Sequence, residues 1–360
     1  MNRLTAIGLA SLVAYGLLIA SKYAGVVSAA PDEASSSASG AAAMHASASG
    51  VEPLSEEHAA PLPSFPAPVP RPQTHKLSAV ALEFRTAHDL KAFADALAAR
   101  GDALTADERF HLAKALEECQ FVASISEDLA AYGAKQRRQF LSSLPAGDPL
   151  NEKRIAAYEA VDNTQRCLGF QNSKVSPKDI DALYRAAALQ GDPRAQARLI
   201  TAELTKSMTS KSSESGQPAS TTARAAGEDF SDLVRLLDTR DPEALLYVGQ
   251  FLAQNAVSQN LRVGPNGEVP EPSAFLGAFS LVACDLGQEC SSLHRDLEQA
   301  CAYGSYCNAQ SFEELYQNFL ASPWAYSQAM RYRMLIRTAI DQRNYGLIGL
   351  TPKIATRGTQ

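Results

Sequence analysis

The residues of this chain best suited to chemistry are its 6 cysteines, and four of them fall between 284 and 307. Cys284-Asp-Leu-Gly287-Gln-Glu-Cys290 and Cys301-Ala-Tyr-Gly304-Ser-Tyr-Cys307 share one pattern, with a glycine midway between two cysteines. Structural zinc sites bring their ligands in as closer cysteine pairs with paired histidines, and the lone His294 nearby reads as surface. A dithiol redox centre wants Cys-x-x-Cys, which does not occur in the chain. Disulfides remain. Each glycine is expected to end a helix in the left-handed conformation, with the preceding cysteine in the last turn. If Ser292 to Tyr303 is a straight helix, Cys290 and Cys301 lie roughly 16 Å apart. A disulfide tolerates a Cα separation only up to about 7 Å. The cross-pairs are awkward under this reading, so the expected bridges are Cys284–Cys290 and Cys301–Cys307. Cys119 and Cys167 are then left for each other.

Acid and base candidates are fewer. Glu108-Arg-Phe-His111 has the Glu-x-x-His spacing of carboxylate-bridged metal bundles, but it occurs once, and such sites need two copies and two further glutamates. It reads as helix surface or packing. Glu117-Glu118 and Glu313-Glu314 are adjacent, and neighbours in a helix do not face one another. They read as solvated faces and a helix N-terminus. Nucleophile elbows, zinc-protease motifs and phosphate-binding glycine loops are absent from the sequence, so no catalytic, cofactor-binding or metal-ligating residue is assigned. A muramidase-type hydrolase would need only one buried glutamate, which no motif would announce. The net charge of −6 speaks against a nucleic-acid partner, which calls for a basic surface.

The elements that must position these residues are helices. Thr105-Ala-Asp-Glu108 is a capping box ahead of a helix from Ala106 to about Ser124, on which Leu112, Leu116, Cys119 and Ala123 recur at helical spacing. Thr86 stands before an earlier helix that ends at Gly101. Ser176-Pro177 and Ser322-Pro323 place a cap before a proline at the first helical position, and Ser311-Phe-Glu-Glu314 is another capping box. Sustained β-type alternation is missing. The chain is expected to be all-α, with about nine helices stacked as hairpins in a disulfide-stapled α-solenoid or irregular bundle over residues 76–350.

Two segments suggest an internal repeat. Residues 181–204 and 231–254 each hold two helices, joined at Gly191-Asp192-Pro193 and Arg240-Asp241-Pro242. A Ser/Thr-rich insertion near 206–228, expected to be a flexible loop, lengthens the interval between them. LYRAAALQGDPRAQARLI resembles a Sel-one-like repeat, a relative of the tetratricopeptide repeat, at Ala187, Ala188, Gly191, Ala195 and Leu199. The second unit departs from the pattern: Arg240 replaces the turn glycine, Leu236-Leu237 replaces the alanine pair, and only Ala244 is kept. The resemblance implies an α-solenoid that binds other proteins.

Ahead of this domain, residues 30–75 read as an Ala/Ser/Pro-rich disordered linker. Residues 1–29 read as an export signal. Arg3 precedes an uncharged run from Leu4 to Ser21, and cleavage before Ala30 or retention of residues 4–27 as an inner-membrane anchor both fit. The linker favours the anchor. An even cysteine count behind an export signal fits a periplasmic or otherwise extracytoplasmic site. Residues 351–360 read as a tail. In SPWAYSQAMRYRMLIRTAIDQRNY, Trp324, Met334 and Leu335 are expected to fill the core. Arg333 and Arg337, with Tyr326 and Tyr332, are the candidates for partner contact. The chain is thus expected to be a non-enzymatic cell-envelope protein that binds another protein of the envelope and meets the membrane only through its N-terminal segment. A peptidoglycan hydrolase with a single buried acid is the alternative.

Overall fold

The computed structural model describes residues 77–123, 128–215, 230–291 and 294–350. The stretches expected to be an export signal, a linker and a tail lie outside these residues.

The first helices form as the caps direct, with one difference. Ser78 caps α1 (Ala79–Thr86), so Thr86 ends a helix and begins none. Asp89 opens α2 (Leu90–Ala98) by accepting from the backbone N–H groups of Lys91 and Ala92, two donors that the first turn leaves without partners. Gly101 follows with a positive φ of 53°. α3 (Ala106–Ala123) starts at the expected capping box, in which Glu108 returns a bond to the Thr105 N–H. The next helices are α4 (Leu129–Ser142), α5 (Asn151–Val161) and the single turn α6 (Asn163–Arg166). A 3₁₀ turn, Leu168–Phe170, leads into α7 (Pro177–Leu189), which Ser176 caps. α8 (Pro193–Ser215) runs well into the stretch expected to be a loop, and the rest of that insertion lies outside the described residues.

The C-terminal half is α9 (Ser231–Asp238), α10 (Pro242–Asn255), α11 (Pro272–Asp285), α12 (Arg295–Gly304), the turn α13 (Phe312–Leu315) and α14 (Pro323–Gln342). More helices are present among the described residues than the nine expected, because Gly, Pro and Asp punctuate the chain every dozen or so residues. The one extended pairing described is an isolated antiparallel bridge between Val263 and Glu268. The fold is all-α.

Helices pack largely in chain order: α2 on α3, α3 on α7, α7 on α8, α8 on α10, α10 on α11, and α11 on α14. Two hairpins, α7–α8 and α9–α10, turn in the same way. Gly191 takes a φ of 90° and Arg240 a φ of 55°, so arginine occupies the left-handed position that glycine holds in the first turn. Asp192 and Asp241 each accept from the N–H groups two and three residues on, and Ala195 and Ala244 at that third position are fully buried. One pairing departs from chain order: α12 packs on α5. There Arg154 Nε donates to the Ala302 carbonyl across 148 residues, and the ring of Phe140 stacks on Tyr158 at 4.2 Å.

The main core lies between α8 and α14, filled by Phe275, Phe279, Leu281, Ile336 and their neighbours. α10 and α11 come close because Gly249 has no side chain; a Cβ there would overlap Phe279. A second core joins α1, α2 and α3, and a third lies between α3, α7 and α8.

Candidate functional site

All six cysteines are paired as expected. Cys119–Cys167 spans a Cα distance of 5.3 Å, Cys284–Cys290 5.7 Å and Cys301–Cys307 4.2 Å. Gly287 ends α11 with a φ of 102°, as its place predicted. Gly304 does not take the left-handed conformation; Ser305 does, at 63°. Gly304 serves a different need, since a Cβ there would press 2.8 Å from the Tyr306 ring. His294 is the N-cap of α12 and accepts from the Asp296 N–H. It is mostly buried, which corrects its placement at the surface, and burial pushes its imidazole below the ordinary range.

Glu313 and Glu314 lie in the first turn of α13, as expected, whereas Glu117 and Glu118 depart from the expected solvated face. Glu117 accepts from the Tyr184 hydroxyl at 2.7 Å and from Arg198 at 2.5 Å. Glu118 points to another side of α3, where Arg166 and Arg295 meet it at 3.2 and 3.1 Å. Arg166 also donates to the Phe84 and Ala87 carbonyls, so one guanidinium ties α1, α3 and α6 together. Glu313 accepts from Arg333. His111 is 3% exposed and its Nδ1 lies 2.9 Å from the Asp107 carbonyl oxygen, a packing role. Among the described residues, no group of three His, Cys, Asp or Glu side chains stands close enough to hold a metal ion.

The Glu117 contacts belong to a charged seam where α3, α7, α8 and α10 meet. Arg194 bridges Asp107 and Asp192, and Lys114 pairs with Glu243. Burial works to raise the Asp107 carboxyl, but hydrogen bonds with His111, Ser78 and Arg194 outweigh it and hold it well below the usual carboxylate range. Burial likewise opposes the charge and hydrogen bond of Lys114 at Glu243, and Lys114 wins, bringing that carboxyl down to about 2.

Two of the four residues singled out for partner contact, Tyr332 and Arg333, face inward. Tyr332 is 3% exposed, meets the Phe275 ring edge-on at 5.4 Å, and accepts from the Glu271 N–H. Its burial removes it from any contact surface. Arg333 is held between Asp285 and Glu313, with its Nε 2.9 Å from Asp285 and its Nη1 2.9 Å from Glu313. Arg337 lies one turn from Asp341 at 3.4 Å. Tyr326 is half-buried against Tyr316. Trp324 and Met334, expected in the core, are 60% and 47% exposed, while Leu335 packs partly against the core. Arg333 faces inward because its two acids approach from α11 and α13, partners that no spacing within α14 reveals.

An open groove of 630 Å³ is the surface feature that sequence reasoning missed. It is walled by α2, α3, α7 and the turn before α7. Leu112, Leu116, Phe170 and Leu183 line it, and Lys91, Arg109, Lys174, Asp95 and Asp179 bring charge to it. The Cys119–Cys167 bridge pins the turn that carries Phe170 against α3. Lys91 and Asp95 pair along α2, and Arg109 donates through Nη2 to the Asp102 carbonyl while its buried Nε has no hydrogen-bond partner. The groove thus combines an apolar lining with charged side chains of both signs, three basic and two acidic. Among the described residues no helix is long and apolar enough to cross a membrane. No family model, no curated protein and no solved structure matches this chain.

Proposed function

We propose that this is an exported, non-enzymatic cell-envelope protein whose helical surface binds another protein, with the groove between α2, α3 and α7 as the contact. The groove is the observation that carries the reading: three helices and a disulfide-pinned turn hold an apolar surface open beside charges that set orientation. Helical grooves of this kind take the apolar face of a partner segment. The two hairpins with matching turns support the likeness to Sel-one-like repeats, and three disulfides support an oxidising compartment. Tyr326 and Arg337, both half-buried, are candidates for a secondary contact on α14.

A photoreactive residue placed at Asp179 tests the reading in the native cell. The expected result is one reproducible crosslinked protein that disappears when Ala182 is changed to arginine. Crosslinks that survive that change, or none, overturn the groove.

One observation favours a second reading, the peptidoglycan hydrolase. Glu298 lines a 600 Å³ cleft between α5 and α12. Burial raises its carboxyl against the opposing pull of Arg295 and Arg166, as a general acid requires. Cleavage of cell wall that Glu298→Gln abolishes would establish it in place of the scaffold.

A further inference from the structure

The three disulfides differ in what surrounds them. Cys119 and Cys167 are both fully buried in the α1–α3 core. Cys284 and Cys290 are half-buried and pack against the main core. Cys301 and Cys307 both line the open cleft between α5 and α12, whose other wall is the small side chains of Ala156, Ala157 and Ala160. Within this pair Cys301 is 8% exposed on the last turn of α12, and Cys307 lies half-buried in the loop beyond it.

Thiol–disulfide exchange depends on access to one sulfur along the line of the S–S bond, with the other sulfur leaving. We propose that Cys301–Cys307 is an exchange site for low-molecular-weight thiols, attacked at Cys307 through this cleft. The incoming thiolate forms a new S–S bond to Cys307 Sγ as the bond to Cys301 breaks. Cys301 leaves as a thiolate and takes a proton from solvent. A second thiol then attacks the small thiol's sulfur in the mixed disulfide and releases Cys307. Two thiols are thereby oxidised to their disulfide, and the cysteine pair gains two electrons and two protons.

The cleft volume suits a tripeptide thiol. The structural consequence is local. The bridge ties the end of α12 to its following loop, and α12 carries the Ala302 carbonyl that Arg154 grips, so opening it frees the edge of the α5–α12 contact while the two core-facing bridges stay closed.

The test exposes the folded full chain to glutathione, quenches with acid, and maps each disulfide by mass spectrometry over time. Cys301–Cys307 is expected to open about tenfold faster than either other bridge, with the glutathione adduct on Cys307. Equal rates, earlier opening of another bridge, or an adduct on Cys301 overturns the proposal. Ala160 is exposed and lines the cleft, so Ala160→Phe narrows the entry without entering the core. It is expected to slow Cys301–Cys307 alone, with the other two rates serving as the measure of an intact fold. An unchanged Cys301–Cys307 rate in that variant overturns the cleft as the route.

Discussion

At the scale of single residues, charge placement sets the acid sensitivity of this protein. Glu243 sits near 2 when folded, against an ordinary value of 4.5. A depressed folded value means stability that is present above pH 4.5 and is lost as pH falls toward 2. The gap corresponds to on the order of 3 kcal/mol, with its side chain 18% exposed. Glu243→Gln is expected to lose most of that at neutral pH, because Lys114 is left without its counter-charge. Its denaturant midpoint should then change less between pH 5 and pH 2 than that of the natural chain, and urea titrations at the two pH values check this. None of this was legible beforehand, since Lys114 and Glu243 lie 129 residues apart. The same holds for Arg333, whose carboxylate partners come from two other helices.

At the scale of elements, the turns and close approaches make sharper predictions. Arg240 and Gly191 hold equivalent left-handed turns, a conformation that costs a side-chain-bearing residue about 1–2 kcal/mol. Arg240→Gly relieves that cost, less the extra chain entropy of glycine and a half-exposed ion pair with Asp341, for a net gain of about 0.5 kcal/mol. Gly191→Ala is expected to lose about 1 kcal/mol, so the two substitutions should move the denaturant midpoint in opposite directions. Gly249→Ala tests the α10–α11 approach. Alanine gains about 1 kcal/mol in helix propensity, but the fully buried Phe279 has nowhere to move, and a net loss of about 2 kcal/mol is expected in thermal unfolding. Helix starts were the most legible part of this fold. Ser176, Ser311, Ser322 and the Thr105 box all cap as their spacing indicated, because a cap is a contact between near neighbours. The local cysteine pairs were legible for a related reason: a rigid helix between them fixes which distances are too long. The groove was illegible, being made by three helices and a turn from separate parts of the chain.

At the scale of the whole molecule, the long disulfide is the main covalent constraint. Cys119–Cys167 closes a separation of 48 residues, which in the chain-entropy model is worth about 4 kcal/mol, against about 2 for a separation of six. Replacing both Cys119 and Cys167 with alanine is expected to lower the thermal midpoint more than replacing either local pair, by calorimetry under oxidising conditions. A larger effect from a local pair would mean that native strain and packing outweigh the constraint on the unfolded chain. The groove should loosen in the same variant, because the turn bearing Phe170 loses its anchor.

The α5–α12 contact also has a temporal meaning. A polypeptide appears at its synthesis site from the N-terminus, and Phe140 and Tyr158 emerge well before Ala302 and Tyr303, the groups that cover them. Through that interval the aromatic face of α4 and α5 has no lid. Nascent chains halted at residue 290 should therefore bind a hydrophobic dye that finished chains do not, and their Arg154 should lack its carbonyl. The protein's most vulnerable moment thus falls late in its own production, when holdase-type chaperones would find it most adhesive.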